Sequence, residues 1–128
     1  MNNLPLSDFD QNDLKKTITD KVTMMIAGNL DRWMPGVSRD QSQRNVNNAR
    51  TTASCIAQRV LNAINSAEKG PQLRDLSMLL VAAAPDAEII LADGDTEETI
   101  RMDENPSFAI ALASCADQII LDLVLEPA

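Results

Sequence analysis

The chain contains no histidine and no tyrosine. The missing histidine removes the commonest general base, the commonest metal ligand and the side chain that titrates near neutral pH. Any chemistry would have to rest on carboxylates, and we read the chain as non-enzymatic, with no cofactor. Aromatic residues are 2% of the 128, namely Phe9, Trp33 and Phe108. That leaves few platforms on which nucleic-acid bases could stack. The core must come from Ala, Leu, Ile, Val and Met, small aliphatics that suit closely packed helices. Two cysteines, Cys55 and Cys115, are too few for a disulfide framework, and no basic-then-apolar leader opens the sequence. The expected setting is a soluble, reducing one, cytoplasmic or within a virus particle, and not secreted. Repeats and low-complexity linkers are absent too. One domain, 1–128, large enough for a core without staples, is the natural reading.

Basic residues nearly vanish from the second half. Residues 1–69 hold nine Lys/Arg and seven Asp/Glu, a balance of +2, whereas residues 70–128 hold two and twelve, a balance of −10. The net charge of −8 therefore conceals a strong asymmetry between the halves.

What the chain does have is a long apolar stretch. Fourteen of the 21 residues from Pro106 to Glu126 are apolar. Asn105 can cap its first turn, Pro106 suits the first helical position and Pro127 stops it. Ser107, Ser114, Gln118 and Asp122 would form a narrow polar stripe on a rod expected at the centre of the domain. Its length invites a membrane reading. Asp117 and Asp122 oppose it, because one carboxylate at mid-bilayer costs about 2.5–3.5 kcal/mol on insertion scales.

Earlier in the chain, Leu14, Ile18, Val22, Met25, Ile26, Leu30 and Trp33 recur at threes and fours. They predict a helix over 10–34, opened by Ser7, Asp8, Asp10 and Asp13, whose carboxylates meet the positive helix end. Gly28 inside it suggests a close helix crossing. Ser38 with Gln41 has capping-box spacing, and Val46, Ala49, Ala53, Ile56, Ala57, Val60 and Ile64 predict a helix over 39–68. Its first half has a thin apolar face, suited to a partner. A shorter helix is expected over 72–83, though Leu79–Ala83 also reads as a buried strand. The period then changes, and residues 88–102 read as a β-hairpin turning at Asp93-Gly94-Asp95. The expected fold is mainly α with a small β-hairpin, α+β in class, its long helix pair packed on a central 106–126 helix. In the rival arrangement, 79–83 or 119–125 pairs with the hairpin as a third strand.

Four groups of residues are candidate sites. Asp93, Asp95, Glu97 and Glu98, with Asp103 and Glu104, form an acidic patch. As a calcium loop it fails, with glycine at the second position and no glutamate at the twelfth, so no metal site is assigned. As a docking patch it suits a basic partner or mimicry of nucleic-acid charge. Arg39, Arg44, Arg50 and Arg59, with Asn45, Asn47, Asn48 and Gln43, have the chemistry of phosphate and base-edge contacts but scatter around the helix. Direct nucleic-acid binding is disfavoured by that scatter and by the overall negative charge. Cys55 falls nearly opposite the core face of its helix, which suggests cover by a partner, whereas Cys115 reads as inert core. Trp33 reads as a core or interface anchor.

These features together point to a homo-oligomeric interaction module, a homodimer with Arg44, Val46, Arg50, Cys55 and Trp33 at its interface. A small viral or phage assembly or packaging accessory factor fits that description. The alternative is an acidic inhibitor or immunity-type protein docked on a basic enzyme, and a weaker one is an RNA-binding accessory protein.

Overall fold

The computed structural model describes residues 4–33, 42–66, 70–83, 88–93, 96–101 and 106–125. Four helices, α1 (Gln11–Trp33), α2 (Ser42–Ser66), α3 (Leu76–Ala83) and α4 (Pro106–Leu125), surround one core, and two strands, β1 (Glu88–Asp93) and β2 (Thr96–Arg101), lie between α3 and α4 in the chain.

α1 begins where the sequence places its acids. The Asp10 side chain accepts from the backbone N–H of Asp13 at 3.1 Å, satisfying one of the orphan donors of the first turn. Leu14, Ile18, Val22 and Ile26 recur every four residues and are buried. α2 lays Ala49, Ala53, Ile56, Ala57, Val60 and Ile64 against them. The Gln11 side-chain amide donates to Asn65 Oδ1 at 2.8 Å, joining the start of α1 to the end of α2, so the pair is antiparallel. The thin apolar face in the first half of α2 therefore packs inside the chain: Ala49, Thr52 and Ala53 are buried, and small side chains let two helices approach closely. The Thr23 and Thr52 hydroxyls, also buried, donate back to the carbonyls of Thr19 and Asn48 four residues earlier.

The N-terminal lead-in is fastened to the segment before α3. Leu6 N–H donates to Pro71 O at 2.8 Å and Leu73 N–H to Leu4 O at 2.9 Å. Leu6 and Leu73 both enter the core from 3-10 turns, Leu6–Asp8 and Leu73–Asp75. The segment expected as one helix over 72–83 is thus a 3-10 turn followed by α3, with the backbone N–H of Gln72 held by the Asp75 carboxylate at 2.9 Å.

The α+β class is corrected. The fold is helical, and both stretches considered for a third strand, 79–83 and 119–125, are helix. The reason is periodicity: Leu76, Leu80 and Ala83, and likewise Leu112, Ala116 and Ile119, are buried at helical spacing, where a strand would bury alternate residues. The two strands form an isolated antiparallel ribbon, Glu88 opposite Arg101, Ile90 opposite Thr99 and Asp93 opposite Thr96. β1 runs against α2. Two strands make no sheet layer, so the helices alone set the architecture.

Two further expectations change. α4 is not the hub: α2 touches α1, α3 and β1, while α4 lies against α1 and α3. Within α4, only 28% of Ser107–Val124 is buried, too little for the centre of a domain, although by length and composition alone that window also suits a membrane span. Gly28 marks no close crossing, since a Cβ built there meets no atom within 4 Å. The Ser38–Gln41 cap lies outside the described residues.

Candidate interaction surface

α3 and α4 each bury one face and leave a second apolar face open. In α3, Leu76, Leu80 and Ala83 turn inward, and Met78 and Val81 remain 67% and 36% exposed. In α4, Phe108, Leu112, Cys115, Ala116 and Ile119 turn inward, and Ile110 and Leu121 remain 69% and 48% exposed. Ile110, Ala113, Asp117 and Leu121 follow at three- and four-residue steps, so they share one stripe.

The two open faces adjoin. A shallow apolar groove of about 340 Å³ is lined by Met78, Val81, Ala82 and Ala113 with Ser77. A second groove, about 410 Å³, runs on from Ser77 and is lined by Arg74, Ala116, Asp117, Ile120 and Leu121. Because Arg74 and Ser77 lie beside residues 116–121 while Met78 and Val81 lie beside Ala113, the two helices are antiparallel across the grooves. The first groove is lined by apolar atoms, whereas the second is about equally polar and apolar and carries one cation and one anion, Arg74 and Asp117, on opposite walls. Exposed apolar side chains contiguous in this way mark association surfaces more than they mark ordinary solvent-facing helix.

The chain matches no family model, no curated protein and no solved structure. The reading of its surfaces therefore rests on their chemistry.

A third groove, about 460 Å³, lies between α1 and α4 and is lined by Met24, Met25, Ala111, Cys115, Gln118 and Lys21, among others. Lys21 Nζ stands 3.0 Å from Asp122 Oδ2, tying the two helices. The Asn29 amide donates to Met25 O at 2.7 Å, so its polar end is occupied within its own helix. Burial pushes the Cys115 thiol up from 9.0 to about 11, with Lys21 opposing the shift. At neutral pH that thiol is protonated and a poor nucleophile, in keeping with inert core.

The residues assigned to an interface from sequence do not form one cluster. The Arg50 guanidinium stands 2.8 Å from the Asp20 carboxylate, linking α2 to α1 across an exposed pair. Val46 is half-buried and four residues from Arg50, on the same face. Cys55 is exposed and free and lies on a different face of α2. Trp33 ends α1; the side chains of Trp33 and Arg44 lie outside the described residues. Arg59 is used internally, its guanidinium donating to Ala83 O at 3.0 Å. In the acidic group, Glu97 pairs in register with Ala92, Glu98 with Leu91 and Asp93 with Thr96. Asp95, Asp103 and Glu104 lie outside the described residues, as do the side chains of the strand acids. Among the described residues no cluster of three metal-ligating side chains occurs.

Sequence reasoning missed the α3–α4 surface because it treated 106–126 as a buried rod. The signal was present. A helix with only a narrow polar stripe offers more apolar surface than the neighbours of a 128-residue chain can cover.

Proposed function

We propose that this protein is a non-enzymatic interaction module that works as a homo-oligomer, of the kind that serves as a small assembly or packaging accessory factor. One observation carries the reading: Met78 and Val81 on α3 and Ile110 and Leu121 on α4 are large apolar side chains left exposed on two adjoining helices. Leaving such a surface in water forgoes about 25 cal/mol for each Å² that association would bury. A specific interface buries about 800 Å² per partner, roughly a tenth of the 7604 Å² of this chain.

The test is molar mass by light scattering after size exclusion, over a range of protein concentrations and at low and high salt. The reading expects a species of at least twice the 13.9 kDa chain mass that persists at high salt, because apolar contacts are not screened. A monomer at every concentration and salt level overturns it.

A further inference from the structure

We infer that the outer edge of β2 pairs with the same edge of a second copy of this chain, about a two-fold axis at Thr99, to make a four-stranded antiparallel sheet. The inference rests on the self-association reading and gives it a contact separate from the α3–α4 surface.

The ribbon leaves an edge to cover. β1 and β2 make a sheet of two strands, and β1 is the strand that runs against α2. Among the described residues no strand lies on the other side of β2. Two strands alone are marginal in water, whereas three or more support one another, and an unpaired edge is a template for a further strand.

The register shows which backbone groups that edge presents. Asp93 is opposite Thr96, with two residues between them in the chain. A pair so close to the chain reversal joins the ladder only by exchanging its own hydrogen bonds, because the two residues beyond it are covalent neighbours. Backbone groups alternate in direction along a strand. Those of Thr96, Glu98 and Ile100 therefore turn to β1, and those of Glu97, Thr99 and Arg101 turn to the open edge.

The order of these three residues chooses the occupant. Acid, threonine, base is the complement of its own reverse. A two-fold axis perpendicular to the sheet runs two copies of β2 antiparallel and keeps each residue on its own face. Centred on Thr99, it sets Glu97 opposite Arg101 of the other copy, Thr99 opposite Thr99, and Arg101 opposite Glu97. All three outward residues of each strand then find hydrogen-bonding partners. Opposite charges and paired threonines are both favourable cross-strand neighbours. Moving the axis to Glu98 or Ile100 carries one of the three beyond the end of the partner strand, and at Glu98 it also sets like charges opposite each other. A strand from another protein gains the backbone bonds but matches this order only by chance. A copy supplies the match by symmetry.

The experiment is cysteine cross-linking of the full chain in a Cys55→Ser background, with oxidised glutathione as oxidant and non-reducing electrophoresis as readout. In the inferred sheet the Cα atoms of the two Thr99 residues stand about 5.5 Å apart, within disulfide reach. The two Glu97 residues are offset by four positions, about 14 Å along the strands. Thr99→Cys should therefore cross-link at least about tenfold faster than Glu97→Cys. Adding Glu97→Arg or Arg101→Glu to Thr99→Cys sets like charges opposite each other in both pairs and should slow the cross-link about tenfold. Mixing those two charge variants restores opposite charges in both pairs of the heterodimer, which should form within about threefold of the rate for Thr99→Cys alone. Arg101 also stands opposite Glu88 in its own ribbon. The mixture mends only the contact between copies, so its rescue separates a lost contact from a lost fold. Equal cross-linking at Thr99→Cys and Glu97→Cys, in a parent that light scattering shows to be a dimer, overturns this edge and leaves self-association standing. Charge variants without effect, or a mixture without rescue, overturn the register. A monomeric parent overturns the inference together with the reading beneath it.

Discussion

The Arg59 guanidinium donates to the backbone carbonyl of Ala83 at 3.0 Å, so a side chain from the middle of α2 holds the last turn of α3. That carbonyl is one of the four a helix leaves without internal partners, and a cation there also meets the negative end of the helix dipole. α3 has only eight residues and would be marginal by itself. Arg59→Ala should lower the unfolding free energy by about 1.5–3 kcal/mol, the range for a hydrogen bond to a charged donor. Urea denaturation measures it, and a loss below about 0.5 kcal/mol would mean the contact contributes nothing.

Within α3, neighbouring positions should behave oppositely. Leu80 is fully buried and Met78 is 67% exposed. Leu80→Ala should cost about 2–5 kcal/mol through lost burial and the cavity left behind. Met78→Ala should change the stability of the single chain by no more than about 0.5 kcal/mol, because it vacates a surface and not a core. Chemical denaturation at a concentration low enough to keep the chain monomeric compares the two.

Gly28 is exposed inside α1 with open space around the position of a Cβ. Gly28→Ala should therefore stabilise the protein, by about 0.5–1 kcal/mol, through helix propensity and a less disordered unfolded chain. A thermal melt that shifts downward would show that the position has a steric role after all.

The two cysteines should separate under thiol-specific reagents. Cys55 is exposed and Cys115 buried, with the Cys115 thiol pushed up to about 11 by burial. At pH 8 one thiol should react rapidly and the second only as the chain unfolds, with Cys55→Ser removing the fast phase.

The same thiol has a consequence for stability. Its folded pKa, about 11, lies above the ordinary value of 9.0, so the native state retains the proton over a range where the unfolded chain loses it. Its contribution is fully present below pH 9 and is lost as pH rises toward 11. Cys115→Ala should flatten the fall in stability across that interval, measured by urea titrations at successive pH values.

The helices were legible in the chain because their signal is local. Leu14, Ile18, Val22 and Ile26 repeat with the period of a helix, and Asp10 and Pro106 mark starts whose chemistry needs no distant partner. α3 was ambiguous for the complementary reason, since Leu79–Ala83 is too short and too uniformly apolar for a period to emerge. The candidate surface was less legible than the helices. The position of Cys55 opposite its core face followed from wheel geometry, but the pairing of Arg50 with Asp20 joins residues thirty apart in sequence and required the α1–α2 packing.

Charge asymmetry, the lack of histidine and aromatics, and the positions of the long helices were determined by the sequence alone, because each depends on residue identity or on spacing within one turn or two. Which apolar face of α4 is covered was decided only in three dimensions. Phe108, Leu112 and Ile119 are no more hydrophobic than Ile110 and Leu121, and both sets repeat at helical intervals. Burial goes to the set that meets α1 and α3, and the other is left to solvent because, among the described residues, no further helix packs there.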